Sequence, residues 1–510
     1  MVRRWAFGVV LVGVLGCART AGTPKPSSKA ASEAPGAIVF LSGALQGYLE
    51  PCGCSDNMPG GIDRAAHLVR QAQSEPLPVL YFDTGDALFT RPTLEPEEVV
   101  QEMRKAQALA ESLTSMGVQG KADGPLDDVR GAAFLSSLAL PVVARGGART
   151  LPAGRGRIAL ITAQSAEELS RAAVRARADG AWLVLGAWVG PFSGAQSLVE
   201  RTDLGVDALI AAHGDDATGD DDVLIRGPVP LLRPRSRGRS LLRLDVHYGP
   251  TTSPFELLKG QAEVDREVAG LTTRLALLDR QLNEPGMLPE RKALIASKVR
   301  EVAERRAGVA RTPVAAPPNR NAFSVRFIPL EQTLPPDPAV KAIVARYDRD
   351  VAALNLAWAK EHGKDCAAPA KGEAAYVGNQ ACADCHADAF PVYRATKHAG
   401  AYNTLVQAKK QYRVDCIACH VIGIQQSGGV CRVDRVRGRE NVGCESCHGP
   451  GSLHVADPRE DNIRGQPGRT LCVGCHNPEN SPHFDFAQYL PKILGPGHLA
   501  APAAKNHRPP

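Results

Sequence analysis

The sequence predicts three structural parts: a layered α/β domain, a helical hairpin inserted after it, and a mostly α-helical and irregular C-terminal region. Short apolar runs alternate with amphipathic stretches from residue 37 to about residue 249. Apolar residues then repeat at coiled-coil spacing, and the motif Cys-x-x-Cys-His occurs four times after residue 376. A chain of 510 residues exceeds what one hydrophobic core usually supports, so more than one domain is expected.

The N-terminal segment predicts export from the cytoplasm. Two arginines precede an apolar run that is too short to form a stable membrane-spanning helix. The run ends in Val14-Leu15-Gly16-Cys17, which resembles a bacterial lipobox. This pattern predicts removal of residues 1–16 as a signal peptide and a lipid on Cys17. An ordinary signal peptide with a chance cysteine nearby is the alternative, and it also exports the chain.

The residues after the cleavage site predict how the protein is attached to a membrane. Residues 17–36 are rich in Pro, Ser and Ala and predict a tether between the lipid and the first domain. We expect a lipoprotein on the periplasmic side of a bacterial membrane, and the absence of an acidic residue directly after Cys17 favours the outer membrane. The net charge of +6 is modest for this length and does not indicate a nucleic-acid partner.

Residues 37–262 predict the α/β domain. The expected strands are residues 37–41, 78–82, 157–163, 181–188, 206–212 and 240–248, and the clearest helices are residues 97–113 and 166–178. Strands that alternate with helices are typical of a layered sheet covered by helices.

Residues 263–311 predict an antiparallel helical hairpin. A coiled-coil seam is formed by Val264, Val268, Leu271, Leu275, Leu278 and Leu282, and the spacing resumes at Ile295, Val299 and Val302. The sequence Asn-Glu-Pro-Gly at 283–286 separates the two halves. Packing of the hairpin on its own domain is favoured over a partner-binding arm. Residues 312–365 predict a return strand at 323–330 and a helix at 338–362, and residues 366–374 predict a linker.

The four repeated motifs predict covalent haem attachment in residues 366–510. Two cysteines three positions apart can add to the vinyl groups of one haem, and the next histidine can bind its iron. The predicted attachment cysteines are Cys382, Cys385, Cys416, Cys419, Cys444, Cys447, Cys472 and Cys475. The proximal iron ligands are His386, His420, His448 and His476. Zinc binding is the alternative, but it would leave the histidine after every motif unexplained.

The spacing of the motifs predicts closely packed haems. Successive motifs begin 34, 28 and 28 residues apart, which is too little chain to enclose each haem separately. The macrocycles themselves are therefore expected to supply the apolar core of this region, and short distances between them suit electron transfer.

Sequences around these motifs resemble a known family. YVGNQACADCH, TKHAGAY, VGCESCHGPGSLH and CVGCHNPENSPHFDF are similar to the multihaem cytochromes that include the tetrahaem electron carrier of ammonia-oxidising bacteria. The resemblance covers the C-terminal quarter of the chain and implies haem pairs with mostly bis-histidine irons. It implies His398 and His454 as distal iron ligands, with His483 and His498 as further candidates. We expect His454 to serve a neighbouring haem, because six residues are too few to wrap around the edge of its own.

The N-terminal part resembles a second family. GGIDRAAHL, the Thr84-Gly85-Asp86 strand end and the later His213 are similar to metallophosphoesterases of the 5′-nucleotidase type. That resemblance implies a two-metal site. Ser42-Gly43-Ala44 replaces the Asp-x-His motif, however, and residues 122–127 lack the Asn-His-Glu signature. We therefore expect a metallophosphoesterase-like fold that has lost its dinuclear metal site and its hydrolytic activity.

The role of Cys52 and Cys54 has several interpretations. Their Cys-Gly-Cys spacing is compatible with a strained disulfide, with two ligands of one metal, or with a site that faces a haem. A buried pair that fixes its loop, with Cys366 or Cys431 as a partner, is the structural alternative.

Three functions are compatible with these features. The favoured hypothesis is an exported electron-transfer cytochrome whose partners are redox proteins or quinol-linked donors and acceptors. The second is a haem oxidoreductase that acts on a small nitrogen compound at an open iron, and the third is a residual metal-dependent phosphoesterase. The missing metal ligands oppose the third hypothesis. The first two differ in how many distal histidines reach iron.

Overall fold

The structure is a computed structural model that describes residues 36–51, 58–211, 223–225, 227–252, 254–258, 261–283, 289–311, 319–477, 480–481, 483–496 and 498. The predicted signal peptide, Cys17, Cys52, Cys54 and His213 lie outside these residues. Within the described ranges, no helix has the length and apolar character needed to cross a membrane.

Thirteen strands of the described chain form two sheets. They are β1 (Ala37–Ser42), β2 (Val79–Asp83), β3 (Gly120–Ala122), β4 (Val142–Val143), β5 (Ala148–Ala153), β6 (Gly156–Ala163), β7 (Leu183–Trp188), β8 (Ala208–Ala211), β9 (Val223–Ile225), β10 (Leu231–Arg233), β11 (Ser240–His247), β12 (Glu256–Leu258) and β13 (Ala322–Pro329). The first sheet has the order β12-β13-β11-β1-β2-β3-β4, and the second has the order β5-β6-β7-β8-β10-β9. Both sheets mix parallel and antiparallel pairs.

The helices differ in length between the two halves of the chain. The chain before the C-terminal region contains α1 (Ile62–Gln73), α2 (Val99–Ser115), α3 (Ala132–Ser137), α4 (Ala166–Ala178), α5 (Phe192–Leu198), α6 (Gln261–Leu282), α7 (Pro289–Ala310) and α8 (Pro338–Glu361). The C-terminal region contains α9 (Gln380–Ala383), α10 (Ala389–Ala395), α11 (Ala401–Gln407), α12 (Val414–His420), α13 (Cys444–His448), α14 (Ser452–Ala456), α15 (Arg469–Cys472) and α16 (Phe486–Tyr489), with 3-10 turns at Lys397–Gly400, Glu460–Asn462 and Leu490–Lys492.

The two sheets pack face to face between outer layers of helices. Side chains alternate across a strand, so Val39 of β1 points toward Leu160 and Leu185 of the second sheet, whereas Phe40 joins the core under α1, α2 and α8. On the far side of the second sheet, Ile161 packs with α4 and α5. The predicted layered α/β fold is confirmed.

The chain returns to the first sheet after the hairpin. Strand β13 pairs antiparallel with β11 from Ser240 opposite Pro329 to His247 opposite Ala322. Helix α8 then packs on α1 and α2, and Asp337 caps its start by accepting hydrogen bonds from two backbone amides. The predicted return strand and helix are therefore both present and complete the first sheet and its helical layer.

The hairpin forms along the predicted seam. Helices α6 and α7 pack against each other through Val264, Leu271, Val302 and Val309, which are nearly fully buried. These positions lie on one stripe of each helix, as coiled-coil spacing requires. The helical-hairpin prediction is confirmed.

The C-terminal region has little regular structure. Its longest helices have seven residues, and its small apolar cluster joins Ile417, Val421 and Val430 to Ala359 of α8. A disulfide between Cys366 and Cys431 ties the linker to this cluster. The suggestion that one of these two cysteines pairs with Cys52 or Cys54 is therefore wrong, because Cys366 and Cys431 lie close enough to pair with each other.

A polar network joins the segment before the second motif to the α/β domain. Lys105 of α2 donates to Glu102 at 2.5 Å and lies 3.5 Å from Asp415 of α12. Arg413 pairs with the same Asp415 at 2.7 Å. The side-chain oxygen of Gln101 accepts from the backbone amide of Val414 at 3.1 Å. The second motif is thus held directly by helix α2.

We expect Lys105→Met to lower the free energy of unfolding by about 3–5 kcal/mol, because it leaves the Glu102 carboxylate buried without its counter-ion. Urea unfolding of the holoprotein, followed by circular dichroism, measures the loss. The matched control is Arg346→Met, which breaks a pair with Glu111 in which both side chains are exposed and should cost less than about 1 kcal/mol. Equal losses in the two variants would contradict a buried network at this junction.

Candidate haem centres

The motifs lie on or beside short helical turns. Helix α12 ends at His420, and α13 consists of the third motif itself. In a helical turn, residues three apart lie on the same side, so Cys444 and Cys447 face the same space with His448 beside them. The local structure therefore presents two thiols and one imidazole together, which is the donor set that covalent haem attachment requires.

Backbone and side-chain acceptors orient several of the histidine rings. His420 Nδ1 lies 2.6 Å from the Ala401 carbonyl, and His448 Nδ1 lies 2.7 Å from the Arg464 carbonyl. His454 Nδ1 lies 2.9 Å from the Arg459 carbonyl, and His476 Nδ1 lies 3.2 Å from Ser481 Oγ. An Nδ1–H donated to a carbonyl leaves Nε2 with a free lone pair. This tautomer is the one that binds haem iron.

The proximal histidine of the first motif faces a histidine that follows the third motif. The ring centres of His386 and His454 lie 6.2 Å apart, and the ring planes differ by 25°. An iron–nitrogen distance of about 2 Å on each side, with about 1 Å from each nitrogen to its ring centre, gives roughly 6 Å between axial rings. The separation therefore fits one iron between the two rings.

A second pair has the same separation. The ring centres of His398 and His476 lie 6.0 Å apart with an interplanar angle of 47°. His476 also stacks on Phe484 at 4.6 Å, which fixes its ring. Burial and the neighbouring His476 lower the pKa of His398, and burial lowers the pKa of His476. Both rings are therefore neutral near pH 7, as iron ligands must be.

The remaining candidates differ in their surroundings. His498 lies in the electrostatic environment of His448 and His386, and its Nδ1 has no hydrogen-bond partner. His483 is exposed. Among the described residues, no histidine ring is paired with His420. The structure thus brings two of the candidate distal histidines next to proximal histidines of other motifs and places a third candidate near His448.

Cysteines from different motifs approach one another. The thiol of Cys382 lies near that of Cys444, and the thiol of Cys475 lies near that of Cys419. Cys447 lies near Cys472 and Cys475, the two cysteines of the fourth motif. The first motif therefore adjoins the third, the third adjoins the fourth, and the fourth adjoins the second.

Two residues that the sequence did not indicate hold the first and third motifs together. The carboxylate of Glu445, 2% exposed, accepts hydrogen bonds from the amides of Val377, Gly378 and Gly451. Asn379 accepts from the amide of Cys444 at 2.8 Å. Glu445 occupies a variable position of its motif, so the sequence carries no signal for it. These contacts fix the backbone from which His454 reaches toward His386.

The region where the N-terminal domain would hold metals contains a buried lysine. The ammonium of Lys121 lies 2.6 Å from Asp127 and 3.5 Å from Asp83, and all three side chains are at most 1% exposed. Burial opposes the charge of Lys121, but the carboxylates of Asp127 and Asp83 outweigh this effect and raise its pKa. A cation of the chain therefore offsets part of the charge of these two carboxylates.

The other oxygens of the cluster are already bonded to the backbone. Asp127 accepts from the amides of Asp86, Ala87, Leu88 and Gly124 at 2.9–3.1 Å. Asp86, the one implied metal ligand in the described residues, accepts from the amide of Leu126 at 2.7 Å. Ser42 donates to Asp83 instead of presenting a ligand of its own. This donor set does not fit a dinuclear metal site.

The C-terminal motifs match a known cytochrome family. Residues 381–449 match the family described as cytochrome c554 and c-prime. Cytochrome c-554 of Nitrosomonas europaea is 32% identical over 103 residues, an alignment that covers 17% of this chain and 44% of that protein. The chain thus spans less than half the length of that relative. The resemblance drawn from the motifs is confirmed, and this homology implies covalent c-type haems.

Solved structures are similar to the α/β part at low identity. The sulfate thiohydrolase SoxB of Thermus thermophilus is 13% identical with a TM-score of 0.39, covering 69% of this chain and 68% of that chain. A 5′-nucleotidase precursor, also from Thermus thermophilus, is 12% identical with a TM-score of 0.38, covering 73% and 67%. The calcineurin-like phosphoesterase YfkN of Bacillus subtilis is 13% identical with a TM-score of 0.31, covering 42% and 86%.

Asp83 makes the stability of the protein depend on pH. Burial raises its pKa to about 6 against the opposing attraction of Lys121. The stability from this protonated carboxyl is complete below about pH 4 and is lost as the pH rises through 6. We expect the free energy of unfolding to fall by on the order of 1 kcal/mol between about pH 5 and pH 7 from this group. Asp83→Asn should remove that component, and an unchanged pH profile in urea titrations would contradict the raised pKa.

Proposed function

We propose that this protein is an exported, lipid-anchored cytochrome c with four haems that transfers electrons between redox partners. The observation that carries the proposal is the pairing of histidines at 6.2 and 6.0 Å, which fits bis-histidine iron. Six-coordinate irons exchange electrons without binding substrate. The cytochrome c554-like segment supports the same class of function.

The axial ligands follow from the ring positions. We assign His386 and His454 to the first haem, and His476 and His398 to the fourth. His448 holds the third haem, with His498 as its distal ligand, because His498 lies in the electrostatic environment of His448. The attachment cysteines anchor each ring through thioether bonds. Haem supplies a one-electron couple at each iron when it is bound.

The contacts between motifs support a linear route for electrons. Cys382 adjoins Cys444, Cys447 adjoins the fourth motif, and Cys475 adjoins Cys419. The order of neighbouring haems is therefore first, third, fourth and second. In this order the second haem lies at one end, against the α/β domain, and the first haem lies at the other end.

One observation favours a second candidate function. Within the described residues, His420 has no opposing histidine ring, so the second iron is assigned one protein ligand. An open iron can bind a small molecule, as a haem oxidoreductase that acts on a nitrogen compound requires. Turnover of hydroxylamine or nitric oxide with an artificial electron acceptor would distinguish this activity from electron transfer alone.

The α/β domain acts as a support for the second haem in this proposal. Lys121 fills the place of a metal cation, and α2 holds the segment before Cys416 through Lys105 and Gln101. Redox proteins or quinol-linked carriers are the partners, and the lipid on Cys17 holds the protein on the periplasmic side of a membrane, with the outer membrane favoured.

We expect four haems per chain by pyridine haemochrome assay, and a Soret shift of about one quarter of the haem when carbon monoxide is added to the dithionite-reduced protein. His454→Ala should raise the shifted share to about one half, because it frees the distal position of the first iron. The matched control is His483→Ala, which removes an exposed histidine and should leave the wild-type response.

Two outcomes would count against this assignment. An unchanged carbon monoxide response in His454→Ala would show that His454 is not an axial ligand. A wild-type protein without any shift would show that the second iron is six-coordinate, which removes the site of the alternative oxidoreductase.

We expect no hydrolysis of nucleotides or bis(p-nitrophenyl) phosphate in the presence of added Mn²⁺ or Zn²⁺, because Lys121 and backbone amides occupy the remaining carboxylates. Elemental analysis should find iron at four atoms per chain without stoichiometric manganese or zinc. Hydrolysis that depends on added metal and disappears in Asp86→Asn would restore the phosphoesterase hypothesis.

A further inference from the structure

A buried carboxylate lies between the first and third attachment motifs. Glu445 follows Cys444 in the chain and is 2% exposed. Its Oε1 accepts hydrogen bonds from the amides of Val377 and Gly451 at 3.0 and 2.8 Å. Its Oε2 accepts from the amides of Val377 and Gly378 at 3.1 and 2.7 Å. Both oxygens are therefore bonded to backbone segments that flank the two motifs.

These contacts stabilise the charged form of Glu445. Its hydrogen-bond partners in the described chain are all backbone N–H groups, which donate and cannot accept. A carboxylate only accepts hydrogen bonds, whereas a protonated carboxyl would turn an O–H group toward one of these donors. Hydrogen bonds to the charged form of a group favour that form over the neutral one. The site therefore holds a negative charge that is shielded from water.

The charge of Glu445 acts on attachment cysteines of two haems. The pKa of Cys382 is raised by the neighbouring thiol of Cys444, by burial and by the charge of Glu445. For Cys444, the neighbouring Cys382 lowers the pKa, and Glu445 opposes this effect. The two sulfur atoms are the predicted attachment points of the first and third haems. The carboxylate therefore lies close to the edges of both predicted macrocycles.

One cation in the same region is differently placed. Arg464 donates to the carbonyl of Cys447 at 3.1 Å. Burial raises the pKa of Cys447, and the charge of Arg464 opposes this effect. Arg464 is exposed, so water and salt screen its charge. Glu445 is buried and has little such screening, so its charge is the stronger one beside these motifs.

The other two motifs have different electrostatic surroundings. Burial raises the pKa of Cys472, and the neighbouring thiol of Cys419 lowers that of Cys475. No carboxylate of the described chain contributes to either shift. Asp415 lies directly before the second motif, but Arg413 pairs with it at 2.7 Å. Within the described chain, an unpaired buried carboxylate therefore adjoins the first and third motifs and not the other two.

We propose that Glu445 is an electrostatic determinant of electron flow, because its buried charge keeps the first and third haems at lower reduction potentials than the fourth and second. The inference rests on the proposed electron-transfer function. Apart from the propionates, a haem with two neutral histidine ligands carries one positive charge when ferric and none when ferrous. Glu445 stabilises the ferric form, so the two irons beside it accept an electron less readily.

The proposed order of potentials gives the electron route a direction. Each transfer moves one electron and no atom: a ferrous iron of the first or third haem becomes ferric, and a ferric iron of the fourth or second haem becomes ferrous. The first haem is then the end at which a redox partner donates electrons. The second haem, against the α/β domain, is the end from which electrons leave.

The test is a potentiometric titration of the holoprotein with redox mediators, followed by visible and electron paramagnetic resonance spectra. Glu445→Gln removes the charge with little change in side-chain size. At a fixed potential it should raise the ferrous-to-ferric ratio of the first and third haems about tenfold, which corresponds to about 59 mV for a one-electron couple. Glu445→Asp keeps the charge and should bring the ratio back to within about threefold of wild type.

Glu460→Gln is the comparison variant, because it removes an exposed carboxylate from the turn that follows α14. Water and salt screen that charge, so the ratio should stay within twofold of wild type. The carbon monoxide response of Glu445→Gln should equal that of the wild type, since its axial ligands are intact. A changed carbon monoxide response without a shift in potential would show that Glu445 acts on structure alone, which would overturn the proposal.

An unchanged ratio in Glu445→Gln, or an equal shift in Glu460→Gln, would also contradict the proposed role. If Glu445→Gln does not fold, the wild-type protein decides the matter. Haem methyl resonances, followed by NMR during stepwise reduction, should show that the first and third haems are reduced last, and the reverse order would overturn the proposal. A wild-type haem content below four would instead count against the proposed function, so the two failures are distinguishable.

Discussion

The arrangement of the C-terminal region centres on histidines from different parts of the chain whose rings face each other at 6.2 and 6.0 Å. His454 follows the third motif but faces His386 of the first, and His398 follows the first motif but faces His476 of the fourth. Each pairing crosses between motifs, so an iron held between two such rings would join distant parts of the chain. The described helices of this region are short, and covalently attached haem would supply apolar surface that they lack. The buried Glu445 fixes the backbone around one such crossing.

The α/β domain has a layered fold with a buried charged cluster at the end of β2. The carboxylates of Asp83 and Asp127 meet the ammonium of Lys121 in an interior where unpaired charge would be costly. The one ammonium offsets part of the charge of the two carboxylates, which also accept hydrogen bonds from Ser42 and from backbone amides. Helices α2 and α8 contact the segment before the second motif, through Gln101 and Asn355.

The junction between the two parts combines strong polar contacts with imperfect packing. Lys105, Gln101 and Asn355 form a buried polar network, yet the neighbouring apolar cluster leaves a cavity next to Ile417. Close packing is the norm in protein interiors, and a buried acceptor without a partner is uncommon. Both exceptions, the cavity and the unpartnered Oδ1 of Asn355, occur beside the second attachment motif.

Local patterns in the sequence determined the attachment motifs, the alternating strands and helices, and the hairpin seam. Each is a short-range property: two thiols and a histidine on one turn, or apolar residues at a fixed period. Only the tertiary structure decided that His454 faces His386, that Lys121 lies between Asp83 and Asp127, and that Cys366 pairs with Cys431. These contacts join residues far apart in the chain. Spacing cannot predict them, because they depend on how loops without any periodic pattern bring the elements together.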